Sequence, residues 1–276
     1  LLEPSGRNTA PALTLAALCA LEQGDDPILL ITPADQTIQN QPAFENAIQT
    51  ALQIAQTGAI AILGITPSSP ETGYGYIQYL PDSEDTQVLK VKTFTEKPNA
   101  KLAATFLESG DFVWNSGMFV WKVESLIQAF RKYMPDLADV FEEGKSQFGT
   151  STELGFIAAA YTTLKNISID YGIMEKSDQV FVVLGDFGWS DIGSWQSLHE
   201  LRDKDDQNNV VEANALLYET ENCFIKTDSD KLVVVQGLDH YLINESDNVL
   251  LICKLDAENK FRDFVAQAKK KGEDFI

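Results

Sequence analysis

Between residues 28 and 65 the chain runs through a short apolar stretch, a segment with apolar residues at helical spacing, and a second apolar stretch, and this order restricts the fold more than any other feature. Residues 28–32 (Ile-Leu-Leu-Ile-Thr) are long enough for a buried strand and too short for a helix. From Pro42 onward, Phe44, Ala47, Ile48, Ala51, Leu52 and Ala55 recur at helical spacing, and Gly58 is placed to end that helix. Residues 59–65 read as the next strand. Strand, helix and strand in this order form a β-α-β unit, the building block of a parallel sheet. Around it, residues 10–21 read as a helix that is apolar all round, with Thr9 as N-cap and Pro11 in the first turn. Residues 74–80 and 87–94 alternate like antiparallel strands about an acidic turn. Helices are expected over 100–108, 123–133, 135–148 and 153–161. The fold class is therefore α/β, a mixed, mostly parallel sheet sandwiched by helices.

After Arg202 the text changes. Residues 203–209 (Asp-Lys-Asp-Asp-Gln-Asn-Asn) form a polar linker, followed by short strands expected near 215–218, 224–226, 232–236, 241–243 and 249–252. Turn residues separate them, so residues 206–276 are expected to form a small β domain ending in a helix over 257–271. Residues 1–205 form the larger domain.

A formal charge of −20 argues against a nucleic-acid partner, because the summed field repels phosphates. An acidic protein that handles phosphorylated ligands needs a metal ion and a few placed Lys or Arg side chains. Arg7 and Lys97 are the candidates, whereas residues 269–271 (Lys-Lys-Lys) read as a solvated helix end. No apolar run approaches the roughly 20 residues that span a bilayer, so a membrane is not an expected partner. Cys19, Cys223 and Cys253 are odd in number and widely spaced, which speaks against a disulfide framework and for a reducing cytoplasm.

Two carboxylates stand out. Asp35 follows the strand 28–32 through Pro33-Ala34, and Asp191 lies in Phe187-Gly-Trp-Ser-Asp-Ile-Gly-Ser-Trp195, just past an apolar run at 180–184. Open α/β sheets place ligands, and the acids that hold their metal ions, at such strand ends. From the residues alone each Asp reads equally as a turn or helix cap, Asp191 preceding a helix expected over 193–201. Further segments change that balance: Glu3-Pro-Ser-Gly-Arg-Asn-Thr-Ala-Pro11, Pro33-Ala-Asp-Gln36, Thr95-Glu-Lys-Pro98 and Trp114-Asn-Ser-Gly-Met-Phe119.

In this order, and with the segment around Asp191, these motifs resemble the mannose-1-phosphate guanylyltransferase family of sugar nucleotidyltransferases, over residues 1–201. The resemblance implies a Rossmann-like nucleotidyltransferase fold and transfer of GMP from GTP to mannose 1-phosphate, giving GDP-mannose and pyrophosphate. It implies Mg²⁺ held by Asp35 and Asp191, a loop of Glu3, Pro4, Gly6, Asn8 and Thr9 for the nucleotide base, and sugar contacts from Gly75, Glu96 and Asn115, with Lys97 on the sugar phosphate. Trp114, Met118 and Phe119 are expected in the core, and His199 as a partly buried structural residue. The family commonly has His where this chain has Gln36. Its G-x-G-T-R signature with a downstream Pro-Lys does not occur in residues 1–276, so the resemblance implies that this segment precedes Leu1 and that residues 1–276 alone are inactive. Shorter members carry a β-roll or left-handed β-helix after the catalytic domain, and a homodimer through that tail is expected. A transferase for another nucleotide or sugar 1-phosphate, and a non-catalytic sugar-nucleotide-binding relative, are the alternatives.

Overall fold

The structure is a computed structural model and describes residues 2–22, 27–81, 87–228, 230–257 and 260–272. It forms two compact units, one of residues 1–34 with 38–189 and one of residues 35–37 with 190–276. The acidic turn at 82–86 lies outside the described residues, as do residues 258–259, at the start of the last expected helix.

The first unit contains α1 (Thr9–Glu22), β1 (Ile28–Ile31), β2 (Thr37–Ile38, at its margin), α2 (Gln41–Gln56), β3 (Ile60–Ile65), β4 (Tyr76–Tyr79), β5 (Val88–Thr95), α3 (Ala100–Ser109) and β6 (Phe112–Lys122). It continues through α4 (Val123–Tyr133), α5 (Pro135–Glu143), α6 (Glu153–Thr163), a π-helical turn (Asp170–Met174) and β7 (Val180–Leu184), ending near β8 (Trp189–Ser190). Along β3, Ile60 and Ile62 enter one buried cluster while Ala61 and Leu63 enter another, the period-two alternation of a strand covered on both faces. The first cluster takes its helical side from α1, α4, α5 and α6, and the second from the Ala47, Ala51 and Ala55 stripe of α2. The sheet is thus sandwiched by helices, as the apolar runs require. Asn40 caps α2 by accepting from the Ala43 N–H at 3.2 Å, which leaves Pro42 in a first turn that needs no donor from it.

The six-stranded sheet has the order β1-β6-β3-β7-β5-β4, with β6 also pairing β4. Here the expectation of a mostly parallel sheet is corrected. Strands β1, β3, β4 and β7 point one way, yet β3–β7 is the one parallel neighbour pair, because β6 runs antiparallel between β1 and β3, and β5 antiparallel between β4 and β7. Alternation of strands and helices reports strand direction and is silent on which strand is inserted between. Strand β6 is not legible in the sequence, since the Asn-Ser-Gly of the motif breaks its apolar run. Thr9 is also corrected: it is the first helical residue, and its hydroxyl accepts the Ile169 N–H at 2.9 Å instead of capping α1.

The second unit begins with α7 (Trp195–Leu201), capped by Ser194 through the Ser197 N–H at 2.8 Å, so the helix starts two residues later than its expected 193. It continues with β9 (Val210–Glu212), β10 (Ala215–Tyr218), β11 (Phe224–Thr227), β12 (Val233–Gln236), β13 (Tyr241–Ser246), β14 (Val249–Lys254) and α8 (Phe261–Lys271). Strands β9, β11 and β13 stack in parallel, β10 pairs β12 in parallel, and β14 folds back on β13. Val210, Phe224 and Leu242 lie in direct register and form one buried core, onto which α7 sets Trp195 and Leu198. The Trp195 and Phe224 rings meet edge to face at 5.2 Å.

Candidate functional site

In the first unit, β4, β5 and β6 deliver three of the expected residues to one place. The Asn115 N–H donates to the Gly75 carbonyl at 2.8 Å, which clamps the loop before β4 onto β6. A Cβ built on Gly75 would lie 2.7 Å from Glu96 Oε2 and 3.4 Å from Asn115 Cβ, so only a residue without a side chain leaves that carboxylate where it is. The side chain of Asn115 is fixed from both ends. Its Oδ1 accepts the Gly117 N–H at 2.9 Å, and its Nδ2 donates to Asp170 Oδ1 at 3.0 Å. Gly117, at φ 72°, gives β6 the local kink that this arrangement needs, and Ser116 closes it with a 2.6 Å bond to the Leu63 carbonyl. Trp114, Met118 and Phe119 are buried, as expected.

Asp170, at the start of the π-helical turn, is the member that sequence reasoning missed. The signal was present: an acid enclosed in the apolar text Ile167-Ser-Ile-Asp-Tyr-Gly-Ile-Met174 is unusual unless it is paired or functional, and single π-turns gather at functional sites. Burial pushes the Asp170 carboxyl above its ordinary range, against the opposing hydrogen bond from Asn115. Burial and then the Asp170 charge push Glu96 up as well, with Lys97 opposing. Lys97 Nζ lies 3.5 Å from Glu96 Oε1, its side chain 62% exposed against 22% for Glu96, so the ammonium is open to a ligand while the carboxylate is sheltered. Lys97 holds φ 43° directly before Pro98, a backbone state that costs a non-glycine residue about 1–3 kcal/mol and is concentrated at binding sites.

The motif at 3–9 is laid along residues 161–169. Arg7 Nε donates to the Tyr161 carbonyl at 2.9 Å, the Ile167 N–H to the Arg7 carbonyl, and the Ala10 N–H to the Ile167 carbonyl. The Tyr161 hydroxyl donates to Glu3 Oε1 at 2.9 Å; burial, then Glu3 itself, push the Tyr161 hydroxyl well above its ordinary pKa, so it remains a donor. Asn8 sits at φ 66° with its Oδ1 on the Thr9 N–H. Glu3, Pro4, Gly6, Asn8 and Thr9 are exposed, the nucleotide residues of the sequence reading lying on an anchored but open loop. Through Ile169 that loop is tied to the residue preceding Asp170.

Asp35 and Asp191 fall in the second unit. Asp35 is exposed. Asp191 Oδ1 accepts the Gly193 N–H at 3.1 Å, and a Cβ at Gly193 would come within 2.9 Å of Asp191 Oδ2, so glycine there keeps the space beside the carboxylate clear. Between them Ile192 holds φ 43°, a true outlier for a β-branched residue. Two carboxylates fit the oxygen preference of magnesium, which takes few protein ligands and completes its shell with water and phosphate. Among the described residues no group of three or more His, Cys, Asp and Glu is gathered for a metal ion. His199 is buried, its Nε2 bonded to the Asn208 carbonyl at 2.9 Å, and burial lowers its pKa. It is structural, as read.

Residues 1–208 match the family model for nucleotidyl transferase. A mannose-1-phosphate guanylyltransferase of Klebsiella pneumoniae is 40% identical over 258 residues, covering 91% of this chain and 54% of the relative. Another, of Escherichia coli, is 38% identical over 273 residues, covering 96% and 58%. The chain therefore spans just over half the length of these relatives. Among solved structures, one titled mannose-1-phosphate geranyltransferase, from Thermus thermophilus, superposes with a TM-score of 0.86 at 32% identity, over 98% of this chain and 77% of that one. A mannose-6-phosphate isomerase from Helicobacter pylori superposes at 0.57 with 31% identity, over 68% of this chain and 72% of that one.

Proposed function

Because the chain belongs to the nucleotidyl transferase family, we propose that it serves the transfer of GMP from GTP to mannose 1-phosphate, giving GDP-mannose and pyrophosphate. The observation that carries this reading is the convergence of Gly75, Glu96, Asn115 and Asp170 beside the open ammonium of Lys97. Relatives named mannose-1-phosphate guanylyltransferase support the choice of substrates. Sheltered carboxylates accept from sugar hydroxyls, and Lys97 attracts the sugar phosphate. An oxygen of that phosphate attacks the α-phosphorus of GTP, a new P–O bond forms, the α–β phosphoanhydride bond breaks, and pyrophosphate leaves. No protein nucleophile is required. Fixing the two anions in line is worth about 7–11 kcal/mol of the barrier, and the rest is charge neutralisation.

Glu3, Pro4, Gly6, Asn8 and Thr9 would meet the base, where an exposed carboxylate and amides suit the amide edge of guanine. Asp35 and Asp191 would hold Mg²⁺, which neutralises phosphate charge when bound. A homodimer through the second unit fits the apolar side chains of Leu216, Tyr218 and Val234 on β10 and β12, and of Leu250 and Ile252 on β14, all exposed. Light scattering that finds a monomer at micromolar concentration would count against it. Among the described residues no helix is long and apolar enough to cross a membrane; a cytoplasmic setting rests on the scattered cysteines.

The test is pyrophosphate release by the complete protein, with GTP, ATP and UTP offered against mannose 1-phosphate and glucose 1-phosphate. GTP with mannose 1-phosphate should give the highest kcat/KM. A preference of about tenfold or more for ATP or UTP would refute the base assignment.

A further inference from the structure

The second unit contains a cavity of about 650 Å³ that the proposed reaction does not use. Its size falls in the range of small-molecule sites, and both histidines of the chain line it. One edge is built by the turns of three successive β-coils. Asn208, Asn222 and His240 stand shortly before β9, β11 and β13 with φ of 63°, 54° and 60°. This repeated left-handed corner links the side chains along the wall: Asn208 Nδ2 donates to Asn222 Oδ1 at 2.8 Å, Asn222 Nδ2 donates to Asp239 Oδ1 at 2.9 Å, and His240 Nδ1 meets the same Asp239 oxygen at 2.5 Å. This linkage consumes one hydrogen of each amide and leaves the other for a ligand.

Two ammonium groups complete the wall. Lys204 Nζ donates to the Glu200 carbonyl at 3.1 Å, and Lys254 Nζ to the Asp239 carbonyl at 2.9 Å while resting 4.4 Å from the centre of the Tyr241 ring. Each is positioned by a main-chain carbonyl, and among the described residues neither has a carboxylate within ion-pair distance. Lys254 also feels the nearby Asp239 charge, but neither ammonium is bound to a carboxylate, and in a chain with 41 acidic and 21 basic residues two lysines so placed on one cavity favour an anion. Among the described residues no Phe, Tyr or Trp lines the cavity, while Glu200 and Asp256 present acceptors suited to hydroxyl groups.

We propose that this cavity is a binding site for a small, hydroxyl-rich phosphate monoester, with Lys204 and Lys254 on its phosphate and Asn208, Asn222, Glu200 and Asp256 on its hydroxyls. The site lies wholly within the second unit and does not depend on the activity assigned above.

The two histidines supply a local probe, because no imidazole signal arises elsewhere in the chain. Imidazole NMR resonances would be followed at fixed pH while glucose 6-phosphate, inorganic phosphate or glucose is added to the chain. Glucose 6-phosphate should move the signals of His199 and His240 saturably, inorganic phosphate should bind about tenfold more weakly, and glucose should move nothing. The double change Lys204→Ala and Lys254→Ala should weaken glucose 6-phosphate by about tenfold or more, equivalent to about 1.4 kcal/mol. Both lysines are exposed, and an unchanged far-ultraviolet circular dichroism spectrum and thermal midpoint of the unliganded variant verify its fold. Glu96→Ala should leave the titration unchanged, separating this cavity from the sugar cluster of the first unit. The proposal is overturned if no phosphate compound gives a saturable shift, if inorganic phosphate binds as tightly as the ester, or if the double lysine change has no effect.

Discussion

Gly75→Ala isolates the geometry of the sugar cluster. The new methyl would sit 2.7 Å from Glu96 Oε2 and 3.4 Å from Asn115 Cβ, so the Glu96 carboxylate must move by several tenths of an ångström. Gly75 is not in the left-handed region, and the group displaced is the end of a flexible side chain. The fold should therefore lose less than about 1 kcal/mol. Loss of a charged hydrogen bond to the sugar is worth about 1.5–3 kcal/mol, or roughly 10- to 150-fold in kcat/KM for mannose 1-phosphate. The KM for GTP should hold. The assay is pyrophosphate release by the complete protein at saturating GTP. A double-mutant cycle sharpens it, because with Glu96→Ala in place there is no carboxylate for the methyl to displace. The double variant should then be no worse than Glu96→Ala alone. Wild-type kcat/KM in Gly75→Ala, or effects that simply add, would refute this account of the site.

Other outcomes follow from the same geometry. Asp170 has a raised folded pKa, so its ionisation disfavours the native state, and wild-type stability should fall as pH rises from the unfolded carboxylate value of about 3.9 through the folded one. Asp170→Asn keeps an acceptor for Asn115 and should flatten that slope in urea titrations at pH 4, 5 and 7; an unchanged slope would remove Asp170 as its source. Asp191→Asn should lower turnover by orders of magnitude with the circular dichroism spectrum intact, and full turnover at saturating magnesium would exclude Asp191 from the metal site. Asn222→Ala breaks two amide bonds and forces alanine to φ 54°, whereas Asn222→Gly loses only the bonds; the alanine variant should be less stable by about a further 1 kcal/mol in denaturant melts, and equal stabilities would show that the corner carries no strain.

Local chemistry determined much of this protein. Apolar stretches of four to six residues became β1, β3 and β7, and the helical spacing of Ala47, Ala51 and Ala55 became the buried stripe of α2, because period and length act within one segment. The motifs at 3–9, 95–98 and 114–119 could be located from their text alone, since glycine, proline and a charged pair have local meanings. What only the tertiary structure decided is pairing and company. The placement of β6 between β1 and β3 depends on contacts made by residues about fifty or more positions apart, which no local period records. Asp170 joined the site through a hydrogen bond to Asn115 that spans 55 residues, and its charge became consequential only once burial stripped its water. The same holds for Asn208, Asn222 and His240: scattered polar residues in the sequence, they form one wall because parallel coils set each turn on the last and bring positions 14 to 18 residues apart into contact.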